Sequence, residues 1–423
     1  MKNIRNLFQN VKNNLAHISC NCSKGLLVAL FAFPILPLPV ANIIFIAFSA
    51  FTLLAWFLNG RPAIRKYLAR NLLLTLPFIP YLIEFIIFRN NPVAGFEMEK
   101  KLLFFIAPVA FAFYISTSKP LDFKFYLRAF SIALILLSVY SLILLVTRGI
   151  LFSPSSYAGD SSELRLKFED ISGLHPTYFG FFACITIFWV LYDFKNLNSP
   201  QKWVVGILTC ILLFVDVLIA AKMSLIILLL GVLFILYKIT TRKKYLLLAY
   251  TLTGLLLSLL LLIPSLRERM FEMKDLVNST SHNYNSVNER KVIFMCSWNT
   301  FKSNFFFGVG SRNMQQYLNM SYWVVYFAQG IFTNYNSHNQ FLTLGINYGI
   351  FDVVFFLGSI LYAVRKVWRT GFLLVSVVST VLIMLTESIL ERQMGIYFYV
   401  LFFLIAYNYI WVQPDTSAHA QNL

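Results

Sequence analysis

The sequence predicts an all-α integral membrane protein, on three observations. Of its 423 residues, 58% are hydrophobic and only 13% are charged, and the mean hydropathy of +0.70 is not that of a soluble globular chain. Apolar runs long enough for helices recur from Leu26 to Val412, so most of the chain has lipid as its solvent. These runs lack the period-two alternation of barrel strands, which argues against a transmembrane barrel.

At about 20 residues per helix, about twelve spans are expected. Their centres fall near Phe31, Ala50, Ile79, Val109, Leu136, Thr186, Leu212, Leu230, Leu256, Val353, Leu382 and Phe403. The first two are divided by the Pro34 to Pro39 region, which reads as a tight re-entry, since proline interrupts the helical hydrogen-bond ladder. Everything belongs to a single polytopic domain, residues 1–423, without internal repeats.

The net charge of +17 invites a nucleic-acid reading, but the cations sit in short clusters at membrane boundaries. That is the footprint of Lys/Arg orientation bias and anionic headgroups, so membrane lipids are the expected partners and nucleic acid is not. With the N-terminus inside, inner segments hold Lys2, Arg5, Lys12 and Lys24, then Arg61 to Arg70, Lys119 to Arg128, Lys195 and Lys202. The Lys238 to Lys244 cluster and Arg365, Lys366 and Arg369 follow on the same side. Nearly all loop carboxylates fall on the other side, from Glu97 and Glu99 to Glu387 and Glu391. Both termini are therefore expected in the cytoplasm.

Five cysteines offer no disulfide framework, and no ligand cluster for a metal accompanies them. No cleavable leader is expected, because the first apolar run leads straight into the second without a small-residue cleavage pattern.

Two outer loops exceed connector length, about 147–176 and 265–338, the latter inserted between spans 9 and 10. A loop of roughly seventy residues in a compact membrane protein is usually functional. Within it, Val292, Met295, Trp298 and Phe301 recur at helical spacing and predict an amphipathic helix lying over the bundle. Gly308-Val309-Gly310 then ends that helix and begins a turn.

The chemistry-bearing residues gather on this outer side. His338 stands in Ser337-His338-Asn339-Gln340-Phe341-Leu342, where the long loop runs back into the membrane. Histidine exchanges protons near neutral pH, which suits a general base, although an interfacial histidine can equally hydrogen-bond a neighbouring helix. Asn339, Gly345 and Gly349 beside it read equally well as packing features. Arg290, Lys222 and Arg392 are cations at span ends that either snorkel to headgroups or cluster to grip a phosphate-bearing lipid. His175 closes the other long loop, and Pro176 after it is placed to start a helix, so His175 reads as structural or substrate-positioning. Glu84, Asp216 and Asp352 fall inside apolar runs and should face the bundle interior. A transporter would use such acids as an ion path, but the chain shows no inverted repeat or paired helix breaks.

Four features in order carry a family resemblance. They are a cation at an outer turn after about the seventh span, a large outer loop, an arginine before a helix, and Gly-x-Gly followed by Ser-His-Asn-x-Phe-Leu. In these the chain resembles the superfamily of O-antigen ligases and O-antigen polymerases, bacterial envelope glycosyltransferases. The motif content lies within about 218–225 and 286–350, with His175-Pro176-Thr177-Tyr178 and Glu387 to Gly395 also similar to segments of some members.

The resemblance implies a GT-C-like fold in the inner membrane of a Gram-negative cell. It implies a metal-free, cofactor-free transfer of glycan from undecaprenyl pyrophosphate to a hydroxyl of lipid A–core or of another glycan, on the periplasmic face. It makes His338 the essential histidine and Arg290 the arginine that holds pyrophosphate. Lys222 stands where the family commonly has arginine, keeping the charge but losing the two-pronged fork. Asn339, Arg392, Glu387 and His175 are the expected supporting residues. The alternatives are a repeat-unit polymerase and, in a different class, a flippase that makes no bond.

Overall fold

The computed structural model describes residues 2–118, 123–153, 163–219, 222–239, 251 and 286–408. Among these residues all regular structure is helical. The first stretch holds α1 (Lys2–Phe31), α2 (Leu38–Leu58), α3 (Arg65–Asn71), α4 (Ile79–Ile87), α5 (Pro92–Lys101) and α6 (Leu103–Thr117). There follow α7 (Phe123–Thr147), α8 (Glu163–Ser172), α9 (Pro176–Asp193), α10 (Ser199–Ile219) and α11 (Lys222–Ile239). The last stretch holds α12 (Ser286–Ser303), α13 (Met314–Val324), α14 (Ala328–Phe332) and α15 (Gln340–Tyr348). It closes with α16 (Ile350–Val367), α17 (Gly371–Met384) and α18 (Gln393–Asn408).

Five stretches are long and apolar enough to cross a membrane: α2, α5 with α6, α7, α9 and α10. A bent pair, Arg65–Leu74 with Leu76–Ile87 at 52°, makes a sixth, and α11, α17 and α18 contain shorter apolar helices. Of about twelve expected spans, the described residues thus hold five or six by length and composition. The centre at Leu256 and most of the Lys238 to Lys244 cluster lie outside the described residues, as do 265–285 of the large loop.

Two expected spans differ in outline. Phe31 is the end of α1 and not the middle of a span, because the chain turns through Phe33–Ile35 and Pro37 before α2. Val353 lies near the start of α16, because the helix breaks at Gly349, whose φ is +80°. A Cβ at Gly349 would lie 2.0 Å from the Phe306 carbonyl oxygen, so this close backbone approach requires glycine.

The chain divides into two compact units. The first comprises Met1–Ala133, Val354–Thr370 and Leu390–Leu423. Aromatic rings fill it, among them Phe78 stacked on Phe104 at 3.6 Å between centroids. It also buries charge: Lys101 is fully buried and donates to the Leu390 carbonyl and to Glu391 Oε1, the latter at 2.9 Å. Lys100 bridges Glu391 and Glu97 at 3.4 and 2.6 Å. Glu84 is buried here, as expected of an intramembrane acid.

The second unit, Leu134–Val353 with Gly371–Ile389, carries the outer-loop motifs. Its centre is α9, buried along nearly its whole length and packed by α10, α11 and α17. Asp216 and Asp352 are buried in this unit.

The amphipathic helix of the large loop is present as α12, and of its expected face Val292 and Phe301 pack while the other two residues do not. Ile293, Cys296 and Phe301 pack with Met314, Leu318, Tyr322, Leu342 and Ile346, whereas Met295 and Trp298 are exposed. Both sets have helical spacing, and periodicity alone does not choose between adjacent faces. The choice is made by α13 and α15, which contact α12 from the Ile293 side.

Gly308-Val309-Gly310 forms the expected turn, with φ of +67° and +83° at the two glycines. The Val309 and Gly310 amides donate to the Ile346 and Asn347 carbonyls at 2.8 Å. The turn thereby satisfies the C-terminal carbonyls of α15 and fixes the helix that His338 precedes.

Candidate active site

The site is built at three helix beginnings and one turn of the second unit. Pro176 at the first position of α9 needs no amide partner, and the His175 ring caps the next one, Nδ1 accepting from the Thr177 amide at 3.3 Å. In the neutral ring that bond takes up the Nδ1 lone pair, which puts the single proton on Nε2. Asn339 caps α15 in the same way, Oδ1 accepting from the Leu342 amide at 3.0 Å. Its Nδ2 donates to the Leu385 carbonyl at 3.0 Å, which ties the loop of His338 to the turn that follows α17.

Between these anchors the backbone of His338 is left-handed, with φ at +45°. A non-glycine residue there is strained and persists only when its surroundings over-determine it. The surroundings do: the His338 amide donates to Asn336 Oδ1 at 3.0 Å, and the residues on either side are buried and hydrogen-bonded.

The imidazole meets Glu387. Nδ1 of His338 lies 3.1 Å from Glu387 Oε2, and the other oxygen, Oε1, accepts from an Arg290 terminal nitrogen at 2.6 Å. One carboxylate therefore bridges the arginine in the second turn of α12 and the histidine before α15. Exposure is graded across the three, with Glu387 at 8%, His338 at 28% and Arg290 at 43%. Burial would push the Glu387 carboxyl up, but the His338 hydrogen bond and the charges it faces at Arg290, His338 and His175 hold it at about 2. It is an anion throughout the neutral range. As an acceptor it places the histidine proton on Nδ1 and leaves Nε2 as the basic nitrogen.

Tyr178 fastens the same turn from α9, its hydroxyl donating to the Ile389 carbonyl at 3.2 Å. Lys222 opens α11, which packs on α9 and α17. Its level is set two residues later: Ser224 donates to Asp216 at 3.2 Å, and its carbonyl accepts from Cys184 of α9 at 3.1 Å. Gly180 makes this possible, because a Cβ there would lie 2.5 Å from Ser224 Oγ. Arg392 belongs to the first unit, just before α18, where its carbonyl accepts from the Ile396 amide at 3.1 Å.

Of the expected residues, His338, Arg290, Glu387 and His175 thus form one electrostatic group, with Asn339 as its anchor. Sequence reasoning ranks Glu387 only as supporting, gives no role of their own to Tyr178 and Ser337 within the motifs it quotes, and misses Ser388. Spacing offers no signal for these, because Glu387 is 97 residues from Arg290 and 49 from His338. No group of three or more His, Cys, Asp or Glu able to hold a metal occurs among the described residues.

Residues 207–357 match the family model described as O-antigen ligase. The matched stretch contains Lys222, Arg290, His338 and Asn339, while His175, Glu387 and Arg392 lie outside it. No curated protein matches the chain.

Proposed function

We propose, from the match of residues 207–357 to the family model described as O-antigen ligase, that this protein is an O-antigen ligase. It would transfer glycan from undecaprenyl pyrophosphate to a hydroxyl of lipid A–core, working at the periplasmic face of the inner membrane. The observation that carries the reading is the single carboxylate, Glu387, held between Arg290 and His338.

In this reaction the acceptor oxygen bonds to the anomeric carbon, and the bond from that carbon to the diphosphate oxygen breaks. A sugar hydroxyl is a poor nucleophile, and Nε2 of His338 takes its proton as the new bond forms. Glu387 holds the ring in the required tautomer and stabilises the imidazolium, as an orienting carboxylate does in other histidine bases. The electron pair of the broken bond leaves with the polyprenyl diphosphate. Arg290 spends one nitrogen on Glu387, and in this reading the rest of its guanidinium meets those phosphate oxygens, with Lys222 as a second point charge.

Purified protein incubated with lipid-linked glycan and lipid A–core tests this directly. Wild type should form product and His338→Ala should form none while remaining folded in lipid. Product from His338→Ala at the wild-type rate removes the histidine from the chemistry, and no product from wild type favours a flippase. Polymerisation onto a second lipid-linked repeat would use the same groups. Deleting the gene separates the two, since loss of a ligase leaves long lipid-linked chains unattached and loss of a polymerase leaves core bearing one repeat.

A further inference from the structure

Behind the His338–Glu387 pair lie three hydroxyls that the proposed chemistry leaves unused. Ser337 precedes His338, Ser388 follows Glu387, and Thr343 projects from the first turn of α15. Their exposures are 2%, 4% and 0%. Thr343 Oγ1 lies 2.6 Å from Ser337 Oγ and 2.8 Å from Ser388 Oγ, and the two serine oxygens are 3.3 Å apart.

Each of two sets of donors satisfies this cluster. In one, Ser388 donates to Thr343, Thr343 to Ser337, and Ser337 to the Asn339 carbonyl at 2.9 Å; in the other, Ser388 donates to Ser337, Ser337 to Thr343, and Thr343 to that same carbonyl at 3.1 Å. Each hydroxyl has a single proton, so either assignment uses all three and leaves none without an acceptor. Hydrogen bonds aligned head to tail in a buried site polarise and strengthen one another.

We infer that Ser337, Thr343 and Ser388 are positioning residues that set the His338 ring against the Glu387 carboxylate. The inference rests on the reading of His338 as the base. Three features converge on it. The outer two hydroxyls are chain neighbours of the two residues being aligned. The middle one stands on a helix whose start is capped by Asn339 and whose end is clasped by the Gly308 turn. The backbone being held is strained at His338, and a strained conformer relaxes once its supports are removed. The partners facing His338 are Glu387 from the turn after α17, Arg290 through that carboxylate, and the ring of Tyr335 edge-on at 5.8 Å.

The test replaces the middle hydroxyl, Thr343→Val, in the full chain in lipid nanodiscs, with Thr343→Ser as the conservative variant. Transfer kinetics and the ¹⁵N spectrum of His338 are read on the same samples, the His338 signal being assigned by its loss in His338→Gln. A misplacement near 1 Å costs on the order of 100-fold in rate, so kcat should fall by up to that amount. KM for donor and acceptor should stay near wild type. The spectrum should change from one Nδ1–H tautomer to a mixture, and Thr343→Ser should restore both kcat and the single tautomer. An unchanged tautomer in Thr343→Val overturns the inference whatever the activity, and so does a wild-type kcat. Should Thr343→Val fail to fold, Ser388→Ala removes only the terminal hydroxyl and is judged by the same two readings. Full transfer by His338→Ala sinks the reading of the base alone, because the tautomer measurement still reports the alignment.

Discussion

Two carboxylates four residues apart, Glu387 buried and Glu391 partly buried, meet the same need in opposite ways. Each is held by two nitrogen-bearing side chains: Glu391 by Lys101 and Lys100 in the first unit, Glu387 by Arg290 and His338 in the second. Both carboxyls would be pushed up by burial, and in both the partners outweigh it and hold the group below the ordinary carboxylate range. The difference lies in the partners' access to solvent. Lys101 is sealed at 0% and Lys100 stands at 17%, while His338 and Arg290 are 28% and 43% exposed. A sealed pair joins chain segments and keeps its buried ammonium away from a ligand. An open one leaves part of an imidazole and of a guanidinium exposed. The second arrangement is what acid–base and phosphate chemistry requires.

The comparison is sharpened most by Glu387→Gln. It keeps the shape but reverses the preferred tautomer of His338, and a comparable change of an orienting carboxylate costs on the order of 10⁴ in kcat. Steady-state transfer should fall by at least a hundredfold while the protein remains folded. At Glu391 the damage should be to stability. Lys101→Met leaves the partly buried Glu391 carboxylate with half its compensation, and breaking a buried pair costs up to about 3–5 kcal/mol. Thermal unfolding in detergent should register that loss. The double variant Lys101→Met/Glu391→Leu should recover much of it.

Acid separates the Glu387 cluster from an ordinary glutamate. Its carboxyl titrates at about 2 in the folded protein and near 4.5 when unfolded. Its contribution to stability is therefore complete above pH 4.5 and is lost as pH falls from there through about 2. Infrared difference spectra against Glu387→Gln should still show the carboxylate band at pH 4, and a protonated band at that pH would break the bridge. The smallest effect is expected at Asn339→Ala. Loss of the cap should cost about 1 kcal/mol, with a further decrease from the released Leu385 carbonyl.

How much of this was legible in the sequence differs between the two clusters. The helical membrane class, the α9 start at Pro176 and the turn at Gly308 follow from local chemistry, and the structure has them. His338 and Arg290 stood out because a titratable ring and a fork-shaped cation at a loop boundary are unusual wherever they occur. Glu387 did not stand out, because its meaning comes from partners 49 and 97 residues away. The same limit hid Lys101. Glu97 and Glu391 read as loop acids, and nothing local said that a lysine would be buried against one of them. The face of α12 differs from the expected one only in part: Val292 and Phe301 pack, while Ile293 and Cys296 take the places expected of Met295 and Trp298. Tertiary contacts with α13 and α15 decided between them.

The central claim is that the open cluster works and the sealed one holds. Transfer rates per folded molecule for Glu387→Gln and Lys101→Met, measured side by side in one assay, test it most directly. A loss of at least a hundredfold in the first with a near wild-type rate in the second is the expected result. Comparable rates in the two variants, or the greater loss at Lys101, would contradict it.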